Sequence, residues 1–182
     1  MSTTAHGRTL VVAHVGGGRL GVWQLAIERL ADDHRVHAVN VRCDQIKTSA
    51  GHERNISRLA DEMVHHGGTD LVAIGGAAGA AVTCVGEHQD LITRLVLCNP
   101  RLRLPSEADR ERLHATASTI DRPTLILLGL GVGPAVRDAK ALARHLPGSQ
   151  LRLVPYLGGA WMSQAPLYFA DQVGQFLGSA HG

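Results

Sequence analysis

The sequence alternates short apolar segments with longer amphipathic segments along nearly its whole length. The apolar segments are rich in Val, Ile and Leu and have the length of single β-strands. The amphipathic segments carry apolar residues at the i, i+3, i+4, i+7 spacing of one helix face. Strands that alternate with helices need right-handed crossover connections, which produce a parallel sheet covered by helices. We therefore predict an α/β fold with a doubly wound, mostly parallel six-stranded sheet and helices on both faces.

The alternation predicts six strands and six helices. The predicted strands are Thr9–Ala13, Arg35–Val41, Asp70–Ile74, Thr93–Cys98, Pro123–Leu128 and Gln150–Val154. The predicted helices are Trp23–Leu30, Ile56–Val64, Ala77–Gly86, Ser106–Ser118, Val136–Leu146 and Phe169–Leu177. The chain has 182 residues, and at roughly 150 residues per domain this length corresponds to one domain. We predict a single domain over residues 1–182.

Composition argues against several classes of function. The formal net charge is only +2, so we expect no electrostatic binding of nucleic acid. No apolar run approaches the ~18 residues of a membrane span, and the first residues lack the apolar core of a signal peptide. The three cysteines have no CxxC spacing, which favours a reducing, cytoplasmic location. The eleven histidines show no ligand-like spacing, so we predict no metal site.

The glycines after the first strand allow a dinucleotide-binding interpretation. Gly16, Gly18 and Gly21 fit the GxGxxG pattern between a strand and a helix, which is the context that the pattern requires. The carboxylate expected at the end of the second strand is missing, because Asn40 and Arg42 stand there. An NAD(P)-binding protein of Rossmann type is therefore one alternative.

A second interpretation covers the chain from Thr9 to Leu177. It depends on six segments in order, which are His14–Gly18, Val72–Ala80, Leu95–Pro100, Arg122–Gly129, Leu153–Gly159 and Ala165–Phe169. Together they resemble the α/β-hydrolase family, with an HGGG-type oxyanion loop and a strand that leads into a G-x-S-x-G nucleophile elbow. The resemblance implies the fold of that family and a ligand site at the carboxyl ends of the strands.

The same resemblance implies that the catalytic triad has been lost. It places Ala77 at the serine position and Gly159 at the histidine position, and residues 130–133 contain no carboxylate for the acid position. Acyl-enzyme chemistry needs a nucleophile, a base and an orienting acid, so we predict a pseudoenzyme with a degenerate triad. The cap domain of the family is also missing, since residues 101–122 leave only a short remnant at the usual insertion point.

The predicted ligand site follows from the resemblance. The backbone amides of Val15 and Ala78 occupy the oxyanion positions and can bind a carbonyl or carboxylate group. The predicted ligand-binding residues are His14, Val15, Gly16, Ala77, Ala78, Leu130, Gly159 and Trp161. We predict binding of a small, largely apolar carbonyl or carboxylate compound, without a cofactor and without hydrolysis. The alternative is a lyase, isomerase or cyclase that uses these amides with His14 or Asp44, the only candidates for a catalytic acid or base.

The missing cap predicts an open, apolar pocket mouth. The residues expected to be exposed there are Val15, Leu130, Val132, Leu157, Trp161 and Met162. An apolar patch of this kind usually marks a binding site or a subunit interface. We expect a second copy of the chain to cover the mouth in a two-fold homodimer, with Trp161 as the anchor.

Overall fold

The structure, a computed structural model, describes residues 7–16, 24–42, 45–131, 133–157 and 161–178, with only the backbone at Tyr156 and Leu157. The strands are β1 (Thr9–Val15), β2 (Arg35–Val41), β3 (Thr69–Ile74), β4 (Ile92–Cys98), β5 (Thr124–Leu130) and β6 (Gln150–Leu157). The helices are α1 (Gln24–Ala31), α2 (Ser49–His66), α3 (Ala78–Glu87), α4 (Glu107–Ala117), α5 (Gly133–His145), α6 (Trp161–Gln164) and α7 (Pro166–Gly178). None of these helices is long and apolar enough to cross a membrane.

The six strands form one parallel sheet in the order β2-β1-β3-β4-β5-β6. This confirms the predicted fold class. The direction of winding reverses between β1 and β3, and in open α/β sheets such a reversal opens a crevice at the carboxyl ends of the strands. The order differs from the 3-2-1-4-5-6 order of Rossmann dinucleotide-binding domains, because β3 lies beside β1 and not outside β2.

Two hydrophobic cores cover the two faces of the sheet. Along β3, Leu71 and Ala73 face one core, and Val72 and Ile74 face the other. The first core contains apolar side chains of α2, α3, α4 and α5, and the second contains those of α1, α6 and α7. The central strands are therefore buried on both faces, as their continuous apolar sequence requires.

The helix boundaries follow local capping chemistry. Helix α2 begins at Ser49 and not at the predicted Ile56, about two turns earlier, because the Thr48 side chain caps it by accepting a hydrogen bond from the Gly51 amide. It ends where predicted, at Gly67, which has a left-handed φ of 70° that glycine adopts at little cost. The polar segment after β4 contains the single short helix that was predicted there, α4.

The segment between β4 and α4 crosses the carboxyl edge of the sheet in a fixed conformation. The Arg101 amide donates a hydrogen bond of 3.0 Å to the Gly75 carbonyl. The next amide, of Leu102, donates one of 2.8 Å to the Asp138 carboxylate on α5, which is buried. Two consecutive backbone amides therefore join this segment to the end of β3 and to a neighbouring helix.

Replacing the N-cap residue of α4 is expected to destabilise the protein. The Ser106 hydroxyl accepts a hydrogen bond of 3.1 Å from the Asp109 amide, so Ser106→Ala should lower the free energy of unfolding by about 1 kcal/mol. The measurement is urea unfolding followed by circular dichroism. Ser57→Ala is the matched control, because Ser57 is exposed inside α2 and alanine favours a helix interior. Equal effects of the two substitutions would contradict the assigned cap.

Candidate functional site

A sharp turn joins β3 to α3 at the carboxyl edge of the sheet. Strand β3 ends at Ile74, and the next residue, Gly75, has a φ of +58°. A single 3₁₀ turn, Gly75–Ala77, then leads directly into α3. In the nucleophile elbow the strained residue stands at this strand-to-helix turn. The elbow residue of this chain is therefore Gly75, which carries no side chain.

The placement of the nucleophile position at Ala77 was therefore wrong. Ala77 has an ordinary right-handed conformation, with φ −75° and ψ −15°, and its side chain is fully buried. The segment contains several small residues in succession, so the sequence allowed two alignments with the elbow pattern, one with Ala77 and one with Gly75 at the nucleophile position. The backbone decides between them, because a positive φ is required at the turn and only glycine adopts it readily.

The oxyanion amide assigned to Ala78 is also corrected. The Ala78 amide donates to the Gly75 carbonyl in the first hydrogen bond of the turn, and its side chain is fully buried. The first amides of a helical segment have no acceptor within the helix. The amide that directly follows the elbow belongs to Gly76, and Gly76 takes the place of Ala78 as the candidate donor.

The structure brings the end of β1 against this elbow. A Cβ atom built on Gly76 would lie only 3.2 Å from Cγ2 of Val15. His14 precedes Val15 on β1 and is half-buried, and burial lowers the pKa of its imidazole. Gly16 follows β1 with a φ of +141°. The predicted neighbourhood of Val15 and the elbow is thus present, with Gly76 as the contacting residue.

Trp161 and Met162 are not at an exposed mouth. Trp161 has no exposed surface and Met162 has 2%. The indole contacts the Phe169 and Tyr168 rings edge to face, with ring centroids 5.9 and 6.2 Å apart. Helix α6 turns Trp161 into the core beneath α7, so the prediction that it is exposed at the mouth was wrong, and its predicted roles in ligand binding and dimer contact stay predictions. Leu130 is exposed as predicted, at 41%.

Five residues of the predicted sites lie outside the described residues. These are Gly18, Gly21, Asp44, Val132 and Gly159, and the side chain of Leu157 is likewise outside them. Their predicted roles stay predictions.

The described cysteines do not supply an alternative nucleophile. Cys84 and Cys98 are fully buried. Burial raises the pKa of the Cys84 thiol to about 12 and raises the pKa of the Cys98 thiol further. Since the thiolate is the reactive form, both side chains behave as small apolar groups. Within the described ranges, no group of three His, Cys, Asp or Glu residues is arranged to hold a metal ion.

A cleft of about 320 Å³ lies at the carboxyl edge, beside the elbow. It is lined by Ile46, Lys47, Arg103, Leu104 and Pro105, and we call it the edge cleft. Sequence reasoning missed it as a site, because its two walls follow different strands, β2 and β4, and are far apart in the chain. The sequence indicated only that each wall directly follows the end of a strand.

The wall that follows β2 is held by helix α2. The buried Asn55 accepts a hydrogen bond of 3.1 Å from the Arg42 amide and donates one of 3.3 Å to the Arg42 carbonyl. A Cβ atom on Gly51 would clash with the Gln45 carbonyl oxygen. The absence of a side chain at Gly51 therefore allows the turn Gln45–Lys47 to lie directly on the first turn of α2.

Two residues that line the edge cleft, Ile46 and Leu104, pack against glycines on the elbow and α3. A Cβ atom on Gly76 would lie 3.7 Å from Cδ1 of Ile46. One on Gly79 would lie 3.2 Å from Cδ2 of Leu104 and 3.4 Å from Cε1 of His52. His52 is 6% exposed, and burial lowers the pKa of its imidazole. The two apolar walls therefore rest on the start of α3, with a buried imidazole beside Leu104.

Comparisons with known proteins establish the fold. No family model and no curated protein sequence matches the chain. CarC, a serine hydrolase involved in carbazole degradation, is 19% identical, with a TM-score of 0.73 over 95% of this chain and 92% of its own. A predicted CIB-like hydrolase from Thermoplasma acidophilum is 15% identical, with a TM-score of 0.77 over 97% and 89%. NosK from Streptomyces actuosus is 18% identical, with a TM-score of 0.75 over 96% and 100%.

These similarities, together with the parallel sheet and the elbow, show that the chain has the α/β-hydrolase fold. The sheet is a minimal six-stranded core.

Acidification is expected to destabilise the protein through its buried histidines. Burial lowers the pKa of His14, His52 and His114 below the value near 6.5 that unfolded chains show. The unfolded state therefore binds more protons below that pH, so stability is constant above about pH 6.5 and falls as the pH drops further.

Urea unfolding at about pH 7.5 and about pH 5.5 measures the loss of stability, because these two pH values lie on either side of the pKa of histidine in an unfolded chain. The decrease in the free energy of unfolding should be smaller in His52→Gln than in the wild type, because one titrating group is removed. A stability that does not change between the two pH values would refute the prediction.

Proposed function

We propose that this protein binds a small, largely apolar carbonyl or carboxylate compound at the carboxyl edge of its sheet and does not act as a Ser-His-Asp hydrolase. The observation that carries the proposal is Gly75 at the elbow. A residue without a side chain has no atom that can attack an acyl group, so the covalent intermediate of serine hydrolases has no position to form.

The other two triad positions support the same conclusion. Leu130 and Gly131 follow β5, where the family resemblance expects the acid, and neither carries a carboxylate. The same resemblance assigns the histidine position to Gly159. CarC is named as a serine hydrolase, whereas this chain combines the same fold with a glycine at its elbow. We infer that the fold has been kept for binding and that the hydrolytic groups have been lost.

Two features of the carboxyl edge suit a bound carbonyl or carboxylate compound. The Gly76 amide stands at the start of a helix, where backbone N–H groups and the helix dipole favour negative charge. The adjacent edge cleft provides an apolar surface for the body of the ligand, and its volume lies within the range of small-molecule sites.

His14 supports a second candidate function. A half-buried imidazole with a lowered pKa is neutral at pH 7 and can accept a proton. A lyase, isomerase or cyclase would use it to remove a proton next to a carbonyl group that the backbone amides polarise. Incubation of 4-phenyl-2-butanone with the protein in D₂O separates the candidates. Exchange of its α-protons that is lost in His14→Gln supports catalysis, and no exchange above the buffer rate supports binding alone.

The protein is expected to lack esterase activity. Hydrolysis of p-nitrophenyl acetate and butyrate should equal the buffer rate, because the elbow has no nucleophile. Gly75→Ser should stay inactive, since a hydroxyl alone lacks the base and acid that activate it.

Gly174→Ser is the control for the general effect of replacing a glycine by serine, because a Cβ atom there meets nothing within 4 Å. Turnover by the wild type that scales with protein concentration and survives repurification would refute the proposed function.

A further inference from the structure

We propose that the edge cleft is the ligand site of this protein and that it selects compounds with one carboxylate group and an apolar body. This inference rests on the proposed function and specifies both the location and the chemistry of the ligand. The carboxylate contacts Lys47 and Arg103, and the apolar body lies against Ile46, Leu104 and Pro105.

The position of the edge cleft is the first argument. Its walls follow β2 and β4, which flank the central strands β1 and β3. It therefore opens beside the reversal of winding, where open α/β sheets bind their ligands. Ile46 reaches Gly76, so the cleft adjoins the elbow region.

The charges of the lining are the second argument. Among the residues that the structure describes, the lining of the cleft includes two cations and no carboxylate. Lys47 comes from one wall and Arg103 from the other, and both are exposed, so an anion between the walls can reach both. Arginine can also bind a carboxylate through two parallel hydrogen bonds.

The apolar walls are the third argument, because they distinguish an organic carboxylate from a simple anion. Ile46 is buried, and Leu104 and Pro105 are half-buried. An inorganic phosphate would contact the cations but leave this apolar surface in water. A ligand with an apolar body gains roughly 25 cal/mol for each Å² of apolar surface that it buries.

The rigidity of both walls is the fourth argument. The hydrogen bonds of Arg101 and Leu102 hold one wall, and those of Asn55 hold the other. Arg101 also accepts a hydrogen bond of 3.0 Å from the Arg103 amide. A preformed site loses little conformational entropy on binding, so the protein needs no cap to form it.

The close packing of Leu104 on α3 supports the same assignment. A Cβ atom on Gly79 would lie 3.2 Å from Cδ2 of Leu104, so the absence of a side chain at Gly79 lets Leu104 pack closely against α3. The neighbouring His52 is neutral at pH 7, because burial lowers its pKa. The positive charge of the site thus comes from its two exposed cations.

Calorimetric titration of the full chain with 4-phenylbutyrate tests the proposal, with 4-phenylbutanamide as the neutral analogue and inorganic phosphate as the simple anion. The carboxylate should bind saturably, and the amide and phosphate should bind at least about tenfold more weakly. Lys47→Gln and Arg103→Gln should each lower the affinity for 4-phenylbutyrate about threefold, as expected for exposed charge contacts. The double variant should lower it about tenfold. Neither should change the affinity for the amide.

Leu104→Ala should lower the affinities for the carboxylate and the amide equally, because it removes apolar contact with both. Lys140→Gln and Arg54→Gln are the matched controls, since both residues are exposed on helices and neither lines the cleft, so neither should change any affinity. Equal binding of the carboxylate and the amide, unchanged affinity in the double variant, or no saturable binding of 4-phenylbutyrate would overturn the assignment. Ester hydrolysis, in contrast, would refute the proposed function without affecting these binding results.

Discussion

The backbone arrangement at the carboxyl edge of this protein depends on hydrogen bonds to the Gly75 carbonyl. It accepts hydrogen bonds from the Ala78 amide, which starts the helical turn, and from the Arg101 amide, which follows β4. The carbonyl can reach both donors because Gly75 adopts a left-handed conformation directly after β3. One backbone group therefore sets the start of α3 and the course of the segment that leads to the edge cleft.

Small residues elsewhere allow the same close approach. Gly51 lets the chain after β2 lie against α2, and Gly79 lets Leu104 lie against α3. In each case the absence of a side chain lets another segment of the chain approach the glycine closely. The high glycine content, 21 residues, thus has a structural use at the edge where the fold binds ligands.

The proposed function connects the elbow and the cleft in one physical argument. A turn with a left-handed φ favours glycine, so the loss of a serine that the proposal assumes would carry no structural cost there. The neighbouring amide and the cations of the cleft still favour negative charge. Under the proposed function, the protein keeps the scaffold and binds its ligand without covalent chemistry.

Much of the fold was determined by the sequence alone. Apolar periodicity identified the strands and the major helices, because a strand buried on both faces must be continuously apolar and a covering helix must have one apolar stripe. The family resemblance placed the ends of β1 and β3 near each other, since the order of the segments implies the order of the strands. Local capping signals placed the end of α2 and the start of α4.

Only the tertiary structure decided which residues meet at the site. The run of small residues after β3 fits the elbow pattern in two registers, and the positive φ at Gly75 chose between them. Trp161 looked like an exposed anchor beside a missing cap, but α6 turns it into the core, where burial of a large aromatic ring is more favourable than exposure. The edge cleft joins Lys47 to Arg103 through the strand order, and no local pattern in the sequence records a contact between segments so far apart.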